Sequence, residues 1–492
     1  MNPILPGIEH VVVLMFENRS FDNVLGGLYP AKSQDGSYDG LTGNEWNPDP
    51  SSNNEPVYVW QGPTAYSTSI MPYPDPGELY ADMYEQIHGS SAPGPETMQG
   101  FVANYLQQPP SPDKVSPVAQ NIMQYYAPGP SGNIPITSKL ASAFAVSDQW
   151  FASGPVQTLA NRIFAHCATS SVYQQDGKWY AVLNNTDITD RYWDPDGSVL
   201  DPPVFWLLDQ AAKSSQWPWP DRVPWKVYYH DWPLSALVKY VDDNWATIED
   251  GRVYSFDDFG DDVAGDLPTY CFIEPRYTDL RGGTPNSNHP GGSTLHEEPP
   301  PISIYDGEIL LEYVVSTLYN GPDDLFAKTL LIVIYDEHGG LYDHMPPPPA
   351  VSPFPADFVT GYDYSGYGVR VPAVFINPYI QPQTIFRPPS GGPPFDHTSL
   401  ISTLCAQFGL AGPLTPRDAS APTLAGLVDP SQPRNPFVPE DLPSVTFEPP
   451  SPTPPAVESP GAGPKPGSAA SVIKQAVESP RNQERVRRQS ES

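Results

Sequence analysis

The chain has 492 residues, with 25 lysines and arginines against 57 aspartates and glutamates, for a formal net charge of -32. That charge argues against nucleic acid as a partner and against electrostatic docking on anionic membranes. The length suits one large α/β domain with insertions, or two domains, and 39% hydrophobic residues allow a substantial core. Cys167, Cys271 and Cys405 are far apart and odd in number, so they read as buried thiols rather than a disulfide framework. No segment approaches the ~20 apolar residues of a membrane helix, and no basic leader precedes the first apolar run. The chain as given therefore reads as cytoplasmic, without stable membrane insertion, and with signal-independent export left open.

The first predicted element is a buried strand over Val11–Phe16, which breaks off into Glu17, Asn18, Arg19 and Ser20. Polar residues there fit a turn in which Asn18 or Ser20 caps a helix, and equally a ligand site at a strand's carboxyl end. In Ser153–Arg162, Thr158 stands in a Gly/Pro-rich turn before a predicted helix. It reads as an ordinary cap, or as a hydroxyl held at a helix N-terminus, where an anion binds. Trp217, Trp219, Trp225 and Trp232 cluster in an insertion-rich region and read as core packing before a cleft wall. Asp306–Tyr319 has the spacing of an amphipathic helix.

A second apolar strand, Thr329–Tyr335, runs into Asp336, Glu337, His338, Gly339 and Gly340. It repeats the plan of the first, and in a parallel sheet the two ends share an edge. Glu17, Asn18, Asp336 and Glu337 would then converge on one divalent cation, because carboxylates and an amide oxygen make a hard site. Val371–Asn377 reads as a further strand and Asp396–Phe408 as a helix closed by Gly409. The series predicts a doubly wound, mostly parallel α/β sheet with long loops over residues 1–445. Residues 446–492 read as a disordered Pro/Ser-rich tail with a basic end at Arg481, Arg485, Arg487 and Arg488. Histidines near the carboxylates, His289, His338, His344 and His397, suit donation to phosphate oxygens or protonation of a leaving group.

Ordered motifs carry a resemblance. They are ENRSFD at Glu17–Asp22, MQGFVANY at Met98–Tyr105, SDQWFASGPVQTLANR at Ser147–Arg162, YDEHGGLYDHMPPP at Tyr335–Pro348, then GVRVPAVFINPYI and FDHTSLI. Together they resemble the bacterial phosphoesterase family of phosphatidylcholine-type phospholipases C and acid phosphatases, in the alkaline-phosphatase-like superfamily. The resemblance implies a metal held by Glu17, Asn18, Thr158, Asp336 and Glu337, its identity unspecified. It implies Thr158, three before Asn161, as nucleophile. His289 and His344 would approach the phosphate, with Asn161 and His397 in support. The substrate would be a phospholipid head group or a phosphorylated small molecule.

The chain also departs from the pattern. Many members carry a histidine where Glu78 follows Asp75-Pro76-Gly77, and a proline where Leu159-Ala160 precede Asn161. An acidic Glu78 would repel a phosphate dianion and suit a diester, a protonated carboxyl or a shifted substrate. Two other readings remain: a catalytically weak relative that binds a phosphorylated ligand, and a toxin-like effector whose tail docks on a delivery partner.

Overall fold

The computed structural model describes residues 3–29, 38–92, 94–111, 114–192, 201–245, 251–279, 283–291, 302–445 and 469–478. Eight strands build the central sheet: β1 His10–Phe16, β2 Ala145–Val146, β3 Trp225–Tyr229, β4 Val253–Ser255, β5 Tyr270–Glu274, β6 Thr329–Tyr335, β7 Ala373–Ile376 and β8 Thr384–Ile385. Their order is β4-β3-β5-β1-β6-β7-β2-β8. All neighbours are parallel except the two pairs that involve β7.

β1 and β6 are continuous apolar runs, buried along their whole length, as expected for strands covered on both faces. They pair directly, from His10 with Thr329 to Phe16 with Tyr335. Glu17 and Asp336 therefore leave the sheet side by side. The strand read over Val371–Asn377 is shorter and antiparallel. Pro372 lacks the N–H a ladder needs, and Asn377 turns its amide onto the carbonyls of Ala327 and Thr329, at 3.2 and 2.9 Å.

The helices used below are α1 Tyr80–His88, α2 Pro135–Ala143, α3 Thr158–Cys167, α4 Ile304–Tyr319 and α5 Thr398–Phe408. α3 packs with α5, and α2 with α4. The second pair is fastened by a buried carboxylate. Glu308 of α4 accepts the N–H groups of Ile136 (2.6 Å) and Thr137 (2.9 Å), and the Thr137 hydroxyl. These are donors that the first turn of α2 leaves without intrahelical partners. Burial pushes the Glu308 carboxyl up to about 7, against the pull of those donors.

Three of the four tryptophans belong to the core: Trp225 is fully buried within β3 and Trp217 and Trp232 are buried, while Trp219 packs against the core half-buried. Cys167 and Cys271 are buried thiols and Cys405 is partly so, none of them bridged. Within the stretch read as a structureless tail, Ala469–Glu478 forms a helix with Val472 and Ile473 buried. A short apolar stripe between proline- and serine-rich flanks supplies that face. The basic residues Arg481, Arg485, Arg487 and Arg488 lie outside the described residues. No helix among the described residues is long and apolar enough to cross a membrane.

Removing the Glu308 clamp strands three donors in the interior. Glu308→Ala is expected to lower unfolding free energy by ~2–4 kcal/mol in urea titrations, the cost of unsatisfied groups beside a lost charged acceptor.

Candidate active site

The paired strand ends set the site. Asn18 adopts a left-handed backbone with φ of 56°, a conformation Asn tolerates better than most residues. Its N–H donates to the Asp336 carboxylate at 3.0 Å. The other oxygen of Asp336 receives Arg162 Nε at 2.9 Å. Gly339, with φ of 61°, lies so close that a Cβ would stand 2.2 Å from the Asn18 carbonyl oxygen. Only glycine lets the two motifs approach in this way.

Thr158 opens α3, and its hydroxyl donates to Asn18 Oδ1 at 3.2 Å. The helix is held in place from several directions. Arg162, one turn on, fastens α3 to Asp336 and to the carbonyls of Met15 and Phe16, each at 3.2 Å. The Leu159 N–H donates to Asn185 Oδ1 at 3.0 Å. Asn161 spends its amide on the preceding loop, donating to Val156 O and accepting from Gly154 N. Asn161 thus shapes the loop that presents Thr158.

Glu17, Asp336 and Glu337 are all fully buried. Neither Glu17 oxygen nor Glu337 Oε1 has a hydrogen-bond partner; the Ser287 hydroxyl lies near enough to Glu17 to favour its charged form, without bonding geometry. Burial pushes the Glu17 carboxyl up to about 7, with the His289 charge opposing and the Asp336 charge adding to the shift. Burial raises Glu337 as well, helped by the carboxylates of Glu78, Asp336 and Glu17. Glu17 and Glu337 thus leave buried carboxylate oxygens without donors, the hard oxygen ligands that a divalent cation takes, and the residues present fit one.

His289 reaches this group through Glu78. Its Nε2 is 3.5 Å from Glu78 Oε1, which also accepts from Asn18 Nδ2 at 2.8 Å. Burial disfavours the imidazolium, yet Glu78, Asp75 and Glu17 outweigh it and hold His289 up at about 9. His397 lies beneath the site with both ring nitrogens engaged: Nε2 on the Asp336 carbonyl at 2.6 Å, Nδ1 facing Trp150 Nε1 at 3.3 Å. Its place is to position Asp336, and burial lowers its pKa. His338 is likewise buried, with Nε2 on Gln86 Oε1 at 2.8 Å.

His344 has a separate set of partners. Nδ1 is 2.7 Å from Asp22 and Nε2 is 3.3 Å from Asp39. Burial again opposes the charge, but the Asp22 pair dominates and lifts His344 to about 11. Arg370, fully buried, bridges Asp22 at 3.1 Å and Asp343 at 3.0 Å. The chain thus supplies two counter-charges of its own to the three carboxylates of this second cluster.

Sequence reasoning passed over Arg162 and Arg370 as site-building residues. The four-residue spacing of Arg162 from Thr158 was the available signal. Arg370 carried none, since its partners come from three distant segments.

Comparison with known proteins agrees with the motifs. The chain is 30% identical to non-specific phospholipase C3 of Arabidopsis thaliana, over 87% of this chain and 74% of that protein. It is 27% identical to phospholipase C A of Mycobacterium tuberculosis, over 83% and 74%. Among solved structures, a protein in the alkaline phosphatase superfamily from Vibrio parahaemolyticus matches at a TM-score of 0.32 and 11% identity, over 81% of this chain and 78% of that one. The chain is a hydrolase of phosphate esters. It belongs to the phosphoesterase family, whose model matches residues 8–411.

Two outcomes follow from this geometry. Titration of the chelated protein with Mn²⁺ in a calorimeter is expected to show binding that Glu17→Gln weakens by at least about tenfold, an effect of ~1.4 kcal/mol. For His344, the folded pKa of about 11 lies above the ordinary 6.5. Its pairing therefore stabilises the fold fully below the lower value and is lost as pH climbs towards the upper one. The unfolding temperature should fall further between about pH 7 and about pH 10 in the wild type than in His344→Gln.

Proposed function

We propose that this phosphoesterase is a metal-dependent phospholipase C that acts on phosphodiesters through Thr158. One observation carries the reading: Glu17, whose buried oxygens lack donors, adjoins Asn18, which accepts the Thr158 hydroxyl at the N-terminus of a ten-residue helix. Glu17, Asn18, Thr158, Asp336 and Glu337 would hold the cation. When bound, it supplies Lewis acidity that favours loss of the Thr158 proton and offsets charge on phosphorus oxygens.

The chain's own groups do the rest. Asn18 Oδ1 aims the Thr158 oxygen, and the start of α3 turns its positive dipole end to the phosphate. Thr158 Oγ forms a bond to phosphorus as the bond to the glycerol oxygen breaks. His289, kept protonated by its carboxylate neighbours, is the donor placed to give that oxygen its proton, releasing diacylglycerol. Water then cleaves the phosphothreonine, releasing the phosphorylated head group and restoring the hydroxyl. Asn161, His397 and His344 position the loop, Asp336 and Asp22 in the helical turn after β1.

Glu78 sets the substrate charge. A monoester dianion meets a carboxylate 3.5 Å from His289, whereas a diester brings one charge fewer. The choline and ethanolamine diesters common in bilayers suit that balance.

Hydrolysis of p-nitrophenyl phosphorylcholine and p-nitrophenyl phosphate tests the reading. Wild type with added divalent metal should favour the diester, and Thr158→Ala should lose at least about 10³-fold in kcat. Glu78→His should shift the monoester-to-diester ratio upward by about tenfold, ~1.4 kcal/mol in the barrier. Unchanged turnover in Thr158→Ala would remove the nucleophile assignment.

A further inference from the structure

Large apolar side chains stand exposed on three segments that run into the site. Leu79, Trp179, Val351 and Phe358 are 44%, 40%, 43% and 40% exposed. They are connected through ring contacts. Trp179 stacks on Phe358 at 5.9 Å, Phe358 meets Phe354 at 6.5 Å, and Phe354 meets Tyr364 at 6.3 Å. Tyr364 touches Tyr362 at 5.1 Å, and Tyr362 touches Tyr80 at 5.0 Å. Leu79 adjoins Tyr80, and the Ser352 hydroxyl donates to Asp363 O at 2.6 Å, which ties the Val351 segment to the same loop.

The patch is rigidly joined to the catalytic elements. Leu79 directly follows Glu78. Trp179 lies in the hairpin Val172–Gln175 with Lys178–Ala181, and its carbonyl accepts the Thr360 N–H at 2.7 Å. The chain leaving that hairpin supplies Asn184, which accepts from Tyr80 N at 2.9 Å, and Asn185, which accepts from Leu159 N beside Thr158. The exposed rings are therefore the outer end of the scaffold that presents the nucleophile.

Charge selects the partner. Asp176, Lys178, Asp357 and Asp363 share these segments, three carboxylates against one ammonium, on a chain of net charge -32. An anionic surface is repelled by such a rim, while the cationic ends of zwitterionic head groups are attracted. Tryptophan and other aromatic side chains, apolar in body and polar at the edge, suit the boundary between water and lipid.

We infer that the Leu79–Trp179–Val351–Phe358 patch docks the enzyme on zwitterionic phospholipid bilayers, presenting the site to the head groups by apolar insertion rather than by basic charge. The inference rests on the reading of the substrate as a phospholipid.

Cosedimentation of the full-length, metal-loaded chain with vesicles tests it. Phosphatidylcholine vesicles should bind the wild type with little salt dependence, and an equimolar admixture of phosphatidylserine should weaken binding. The double variant Trp179→Ser/Phe358→Ser should lose at least about tenfold in partitioning while keeping its unfolding midpoint. Ile309→Ser/Tyr313→Ser removes equally exposed apolar groups from α4 and should bind as wild type does. Equal binding by the Trp179/Phe358 variant, no binding by wild type, or preference for the anionic vesicles would overturn the inference. So would a wild-type dimer that the variant dissociates, since the patch would then face a second copy of the chain. A wild type that binds vesicles through the patch yet leaves the soluble choline diester intact would instead remove the functional reading and keep the docking surface.

Discussion

The carboxylate of Asp336 is the tie on which the site depends. One oxygen accepts the Asn18 N–H and the Glu337 N–H, and the other accepts the Arg162 guanidinium. Its backbone carbonyl meets His397 at the start of α5. A single residue thus links the end of β1, the end of β6, the first turns of α3 and the head of α5. In a dry interior such an anion is tolerable only because each oxygen has a donor and a full cation stands beside it. The satisfied state of Asp336 contrasts with the bare oxygens of Glu17 and the bare Oε1 of Glu337. The first holds the frame.

The same division separates the two acidic clusters. Asp22, Asp39 and Asp343 face Arg370 and a protonated His344, so the chain supplies its own counter-charge. Glu17, Glu78, Asp336 and Glu337 have Arg162 and His289 nearby, and His338 Nδ1 lies 3.6 Å from Glu337. Residue type alone does not separate the clusters, because each contains aspartate or glutamate with histidine.

Much of this was legible in the sequence because it is local. Val11–Phe16 and Thr329–Tyr335 are uninterrupted apolar runs, so both strands and their polar ends could be read directly, and the sheet pairs them as neighbours. Thr158 could be placed at a helix start from its glycine and proline flank. Other features are set by distant contacts. The reversed direction of β7 is set by how the chain returns to the sheet, which periodicity does not encode. The roles of Asn161 and His397 depend on where both sides of an amide or a ring point. Arg370 gathers Asp22, Asp39, Asp148 and Asp343 from across the chain. The helix at Ala469–Glu478 was masked by its surroundings, since composition averaged over the tail hides two buried side chains.

The position of β1 in the sheet has a consequence for biogenesis. The first strand to leave the ribosome lies at the centre, between β5 and β6, and Val11 pairs with Tyr270 on one side and Leu330 on the other. Both partners are made only after more than half of the chain. Closing such long loops is slow, and until they close, a seven-residue apolar strand has two open edges. The nascent chain must carry it unpaired through most of translation, a window in which a chaperone that shields apolar strands would govern yield.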